Sequence, residues 1–206
     1  GGMTTRPPDL LDLTGRTAFI TGSTRGLGWS TAQCLAGLGA RVAINGRSSD
    51  AVDARCREIE QAGGQALPAA CDVTDGDRFN AVLDDISTQA GAIDILVASA
   101  AHFLIKPIED TTDDDISALL DGKLFSAMTA TRRLAPAMHN RGWGRIVLVS
   151  SMGVIASGGL APVDSAASGG SGSLRQGNLD GLFSPRRHLQ HRRTRLLRYR
   201  VDGDLS

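Results

Sequence analysis

A glycine-rich turn between an apolar strand and a helix limits the folds open to this chain more than any other feature. The apolar run Thr17–Ile20 ends in Thr21-Gly22, and the turn continues through Gly28 into a helix-compatible stretch that reaches about Gly39. Glycine allows a tight turn and lets backbone N–H groups approach a phosphate, while the helix N-terminus favours an anion. This order of strand, turn and helix predicts the phosphate-binding corner of an α/β fold.

Strand-like and helix-like stretches continue to alternate after this turn. Strands are predicted at 41–44, 66–71, 93–97 and 145–150, and helices at 51–62, 75–89 and 112–140. Strands that alternate with helices favour a parallel sheet with right-handed crossovers. We therefore expect an α/β fold with a doubly wound, Rossmann-like parallel sheet, in a single domain whose C-terminal part is incomplete. The functional residues of such a sheet should cluster where its strands end.

The composition of the chain limits the kinds of partner that the protein is expected to bind. Formal net charge is zero, so the electrostatics of the whole molecule favour neither nucleic acid nor a membrane surface. The three cysteines (Cys34, Cys56 and Cys71) lack metal-ligand spacing, which favours reduced thiols and predicts no metal site. No apolar run approaches membrane-spanning length and the start lacks a signal-peptide pattern, so we expect a cytoplasmic protein.

Three further segments carry a family resemblance. Asp72-Val73 follows the third predicted strand, IDILVASAA spans residues 93–101, and RIVLVSS spans residues 145–151. Together with the glycine turn, which has three residues between its first two glycines, they resemble the short-chain dehydrogenase/reductase family over about Asp12 to Ser168. The family has Asn and Gly where this chain has Ser99 and Ala101.

The resemblance implies an oxidoreductase that transfers hydride between a nicotinamide and a small-molecule alcohol or carbonyl substrate. It also implies a set of cofactor-binding positions. These are Gly22, Ser23, Thr24, Arg25, Gly26, Leu27, Gly28, Asn45, Gly46, Arg47, Asp72, Val73, Ser99, Ala100 and Ala101.

Two arginines favour NADP over NAD. A carboxylate just after the second strand would bind a ribose diol and repel a phosphate, but this chain has Asn45-Gly46-Arg47 there, with Arg25 in the glycine turn. Two guanidinium groups would pair with the 2′-phosphate of NADP. Ordinary surface arginines are the alternative interpretation of both residues.

The resemblance breaks down at the catalytic positions. Ser151 matches the family's catalytic serine, but the spacing from it puts Asp164 at the Tyr position and Ser168 at the Lys position. Aspartate is ionised and too weak a base at neutral pH, and serine carries no charge to tune a neighbour. Lys123 stands where the family has a structural Asn, a substitution found in some members. We therefore expect impaired catalysis, with a non-catalytic dinucleotide-binding protein as the alternative function.

The amino-acid composition of the chain changes after the Rossmann domain. Residues 1–14 resemble a tag remnant and leader, residues 15–167 form the expected dinucleotide-binding domain, and residues 168–206 form an atypical tail rich in glycine and arginine. Eight arginines and three acids lie in this tail, which makes a nucleic-acid-binding or anion-binding arm one interpretation.

A shifted reading frame is the interpretation of the tail that we favour. Codons can be chosen for His188–Val201 so that a one-base shift reads ICNTVAPGYFDTE, which resembles the family's strand and Pro-Gly turn beside the nicotinamide. We accordingly expect neither nucleic acid nor membrane as a partner. Family members commonly form homo-oligomers through the long helices after the fourth and fifth strands, and the second of these helices starts near residue 164. Gly169-Gly170, Gly172 and Gly177 should keep that second helix short or remove it.

Overall fold

The computed structural model describes residues 11–100, 102–151 and 163–169. Five strands form one parallel sheet in the order β3-β2-β1-β4-β5, and helices cover both of its faces. The strands are β1 (Thr17–Ile20), β2 (Arg41–Gly46), β3 (Gln65–Ala70), β4 (Ile95–Ala98) and β5 (Arg145–Leu148). The helices are α1 (Gly26–Gly37), α2 (Ser49–Gln61), α3 (Gly76–Ala90), α4 (Asp113–Leu120), α5 (Ser126–Asn140) and α6 (residues 163–169). The expected doubly wound parallel sheet is confirmed.

Burial explains why the central strands are continuous apolar runs. Every residue of β1 and of β4 is buried, since helices cover both faces of a parallel sheet. Neighbouring side chains of β1 point to opposite faces. Phe19 packs with α3 and α5, and Ile20 packs with α1 and α2. Two hydrophobic clusters, one on each face, therefore hold the sheet and fix the strand ends.

Side-chain caps begin α2 and α3 but not α1. The Ser48 hydroxyl accepts a hydrogen bond from the Ala51 N–H at the start of α2, and the Asp75 carboxylate accepts one from the Arg78 N–H at the start of α3. By contrast, α1 begins at Gly26 without a side-chain cap and without an acidic residue in its first turn. Its first N–H groups therefore lack the partners that caps supply to the other two helices.

The single helix predicted over residues 112–140 is interrupted. Thr112 and Asp115 form a capping box that begins α4, but a π-helical turn at Asp121–Phe125 separates α4 from α5. The Ser126 hydroxyl donates to the Gly122 carbonyl oxygen within this turn. A pattern of apolar residues does not distinguish a π-turn from a continuous α-helix, and such turns are frequent at functional sites.

The helix that was expected to be short or absent is present over residues 163–169. Its possible continuation, and all residues of the Arg-rich tail, lie outside the described residues. Over the described part of the chain, no helix is both long and apolar enough to cross a membrane.

Candidate functional site

The strand order places a crevice beside the end of β1. The chain passes from β1 to β2 on one side and later returns to β4 on the other, so the direction of winding reverses between β1 and β4. Ligands of doubly wound sheets bind outside the carboxyl ends of the strands at such a reversal. The glycine turn after β1 lies at this point.

The hydroxyl of Thr21 joins the two sides of the reversal. Its oxygen accepts hydrogen bonds from the Ser99 N–H and the Ala100 N–H, each 2.9 Å long. The Thr21 N–H donates in turn to the Val97 carbonyl oxygen. Thr21 is buried, so one side chain fixes the turn after β4 against the turn after β1.

Two positions in the glycine turn exclude any larger side chain. A Cβ atom on Gly28 would lie 2.4 Å from the Gly22 carbonyl oxygen, and a Cβ on Gly22 would lie 2.9 Å from the Ala100 Cα. Gly22 and Gly26 also have positive φ angles of 64° and 56°. The turn is thus compact around uncapped N–H groups of α1, and its donor set fits a pyrophosphate.

Asn45 braces the turn from inside. Its side-chain oxygen accepts from the Gly22 N–H at 3.2 Å, and its carbonyl oxygen accepts from the Ser23 N–H at 2.8 Å. Its side-chain nitrogen donates to the Ala69 carbonyl oxygen on β3. The Ser23 hydroxyl donates to the Ile20 carbonyl oxygen and accepts from the Asn45 N–H. Asn45 and Ser23 are both buried, so their side chains hold the frame of the turn.

The two arginines expected to select the cofactor are exposed at this edge of the sheet. Arg25 precedes α1 and Arg47 follows β2. Hydrogen bonds from the Thr74 N–H and hydroxyl hold the pKa of Asp72 below its usual value, and the nearby Arg47 guanidinium lowers it further. Arg47 and Asp72 follow the neighbouring strands β2 and β3, so both lie at this edge of the sheet.

The residues at the family's Tyr and Lys positions contact Lys123. Its Nζ lies 2.5 Å from Asp164 Oδ1 and 3.4 Å from Ser168 Oγ. The Lys123 and Asp164 side chains are only 10% and 4% exposed, so the ion pair is buried. Lys123 Nζ also lies 4.9 Å from the centre of the Phe103 ring.

The π-turn brings Lys123 to this position, and β5 holds α6 beside it. The Ser150 hydroxyl, just beyond β5, donates a 3.0 Å hydrogen bond to the Ser168 carbonyl oxygen. Ser151 is the next residue and is partly exposed. Ser168 is therefore tied to the segment just beyond β5, and the expected catalytic serine directly follows the residue that makes this contact.

The structure brings most of the predicted positions together. The glycine turn, Ser99, Ala100 and the Asn45–Arg47 segment surround the ends of β1, β2 and β4, while Asp72 and Val73 follow β3. Ala101 lies outside the described residues. Among the described residues, no three potential metal-ligating side chains come together.

The sequence-based interpretation missed the ion pair of Lys123 with Asp164. Both residues had been considered singly, but 41 positions separate them and no local pattern links them. Opposite charges at two altered positions of the expected site are the signal from which the pair could have been inferred.

Comparisons with known proteins agree with this geometry. The family model of the short chain dehydrogenases matches residues 16–175. A gluconate 5-dehydrogenase of Gluconobacter oxydans (strain 621H) is 34% identical over 156 residues, which make up 75% of this chain and 61% of that protein. The chain thus spans about three-fifths of the length of this relative.

Two solved structures share the fold. A metagenomic short-chain oxidoreductase in complex with NADP has a TM-score of 0.80 and 29% identity, with 84% of this chain and 79% of the other covered. A 7α-hydroxysteroid dehydrogenase complexed with NADH and 7-oxo glycochenodeoxycholic acid has a TM-score of 0.78 and 30% identity, with 82% and 66% covered. Sequence motifs, strand order and these matches agree: the chain belongs to the short-chain dehydrogenase/reductase family.

Proposed function

We propose that this chain binds NADP in preference to NAD at the crevice beside β1. The observation that carries dinucleotide binding is the braced glycine turn, in which the Gly22–Gly28 contact leaves no room for a side chain next to the uncapped start of α1. Arg25 lies in this turn and Arg47 directly follows β2, and the segment Asn45–Arg47 at the end of β2 contains no carboxylate. A relative solved with NADP supports the preference. Because another relative is solved with NADH, the arginines rather than the family carry the assignment.

The reaction class that fits the site is hydride transfer between the nicotinamide and an alcohol or carbonyl group. When bound, the nicotinamide ring gives or accepts the hydride. Ser151, beside the end of β5, would orient the substrate oxygen by hydrogen bonding. A proton must also move at that oxygen, and a positioned acid or base contributes about 10²–10⁴-fold in rate.

Catalysis is impaired in this proposal because Asp164 is already paired. Its carboxylate accepts a hydrogen bond from Lys123, so the charges of the two groups stabilise each other rather than a substrate oxygen. Ser168 supplies a hydroxyl rather than a second cation. We expect NADP(H) turnover on a broad panel of alcohols and carbonyls to be absent or very slow.

The same buried ion pair favours a second candidate function, a dinucleotide-binding protein that does not catalyse. Such a protein does not need the family's catalytic Tyr and Lys, so their replacement by Asp164 and Ser168 would leave its function intact. A variant that combines Asp164→Tyr and Ser168→Lys with a tail translated from the shifted reading frame separates the two functions. Turnover that depends on Ser151 in this variant supports the oxidoreductase, whereas dinucleotide binding without turnover supports the alternative.

Cofactor preference is tested by titrating the protein with NADPH and NADH and following the dinucleotide fluorescence. NADPH should bind at least about fivefold more tightly, as expected for charge-assisted hydrogen bonds to a phosphate. Arg47→Ala should remove most of the difference, while the exposed Arg57→Ala on α2 should not. Equal affinities for both dinucleotides in the unaltered protein would contradict the assignment.

A further inference from the structure

Arg55, on α2, reaches back to the glycine turn although 31 positions separate it from its partner there. Its Nε donates a 2.9 Å hydrogen bond to the Thr24 carbonyl oxygen. One terminal nitrogen donates to both carboxylate oxygens of Glu58 at 2.8 Å, and the guanidinium carbon lies 4.7 Å from the centre of the Trp29 ring. A backbone carbonyl, a carboxylate and an aromatic face thus fix the plane of this guanidinium.

Thr24 is the contact point between the glycine turn and the end of β2, and the two proposed phosphate-binding arginines are the residues that follow the two sides of this contact. A Cβ atom on Gly46 would lie 2.7 Å from Thr24 Cγ2, so the Thr24 side chain packs directly on the Gly46 backbone. Arg25 follows Thr24 and Arg47 follows Gly46. Each arginine therefore starts one residue from the same contact, and the orientation of the Thr24 carbonyl sets the direction in which Arg25 leaves the turn.

The rest of the turn is held without Arg55. Asn45 accepts the hydrogen bonds from the Gly22 and Ser23 N–H groups, and Ser23 is further tied to Ile20. These contacts shape the part of the turn that faces a pyrophosphate. A change at Arg55 should thus move the Thr24–Arg25 peptide and leave the pyrophosphate-facing backbone in place.

We propose that Arg55 is a positioning residue for recognition of the 2′-phosphate of NADP. It orients the Thr24–Arg25 peptide so that the Arg25 and Arg47 guanidinium groups converge on one phosphate. Arg55 itself stays paired with Glu58 and does not contact the ligand. This inference rests on the proposed preference for NADP.

The test compares Arg55→Met, Arg55→Lys and the matched surface variant Arg57→Met in titrations with NADPH and with NADH. Arg55→Met should weaken NADPH binding about three- to tenfold, the effect of one lost hydrogen bond to a positioned group, and leave NADH binding unchanged. Arg55→Lys should behave like Arg55→Met, since a lysine cannot reproduce the planar fork and the ring contact together. Arg57→Met should match the unaltered protein.

Each other outcome overturns the inference in a recognisable way. If Arg55→Lys keeps full NADPH affinity, the positive charge at this position is sufficient for binding, and the proposed positioning role is refuted. If Arg55→Met weakens the binding of NADPH and NADH equally, Arg55 supports the glycine turn as a whole and has no specific role in recognition of the 2′-phosphate. If the unaltered protein prefers NADPH and Arg55→Met keeps that preference, only this inference is refuted; if the unaltered protein has no preference, the proposed function falls with it. Should Arg55→Met fail to fold, Glu58→Gln loosens the same guanidinium, and an unchanged NADPH preference in that variant refutes positioning.

Discussion

Replacing Asp164 by asparagine should destabilise the protein far more than an ordinary surface substitution. The change keeps the shape of the side chain but leaves the Lys123 ammonium group buried without its counter-ion. Removing one partner of a buried ion pair typically costs about 3–5 kcal/mol. We expect a loss of about 3 kcal/mol in the free energy of unfolding, at the lower end of that range. Ser168 Oγ at 3.4 Å and the Phe103 ring at 4.9 Å would still face the ammonium group.

Urea denaturation followed by far-UV circular dichroism measures this loss, and Asp84→Asn is the matched control. Asp84 pairs with Arg133 on the surface, where both side chains are about half exposed, so the control should cost at most about 1 kcal/mol. The double variant Lys123→Met with Asp164→Leu should recover most of the lost stability, because it removes both buried charges. Equal destabilisation by Asp164→Asn and Asp84→Asn would refute the conclusion that the Lys123 pair is buried and formed.

Two further predictions concern the glycine turn and the thiols. Gly28→Ala should abolish dinucleotide binding in a fluorescence titration because its Cβ would meet a backbone oxygen at 2.4 Å, whereas Gly37→Ala on the same helix, with nothing within 4 Å, should bind normally. Burial raises the pKa of the Cys71 thiol to about 11, so at pH 8 about one molecule in a thousand carries the reactive thiolate. Mass spectrometry after brief alkylation at pH 8 should find exposed Cys34 modified and Cys71 unmodified, and equal labelling of the two would contradict this burial.

The sheet could be predicted closely because its strands are short apolar runs with clear stops. The expected bounds of β1 coincide with Thr17–Ile20 in the structure, and β2 begins at Arg41 as expected but continues past the expected end at residue 44 to Gly46. Central strands of a parallel sheet are buried on both faces, so each one is a continuous apolar run that can be recognised without knowing which strands lie beside it. The glycine turn was equally visible, since strand, glycines and helix are adjacent in the chain.

Features that depend on distant contacts could not be predicted in the same way. Asn45 was expected among the cofactor-binding residues, and the structure shows that its side chain is buried and bonded to Gly22 and Ala69. The π-turn that carries Lys123 reads as ordinary helix in the sequence. Nothing in the sequence indicated a role for Arg55, because its hydrogen-bond partner Thr24 lies in the turn before α1, far from α2 in the chain.

The position of β1 in the middle of the sheet divides the molecule into two parts that can change independently. Arg25 and Arg47 depend on β1 and β2, while Lys123 and Asp164 belong to the segments around β4 and β5. Within the described residues of the site, the central strand, the hydrogen bonds of Thr21 and the close packing of Gly22 on Ala100 link one part to the other. Mutations that erode the chemistry around β5 can therefore accumulate in a lineage without eroding the pocket around β2, so inheritance of a binding site and inheritance of an activity need not go together in this fold.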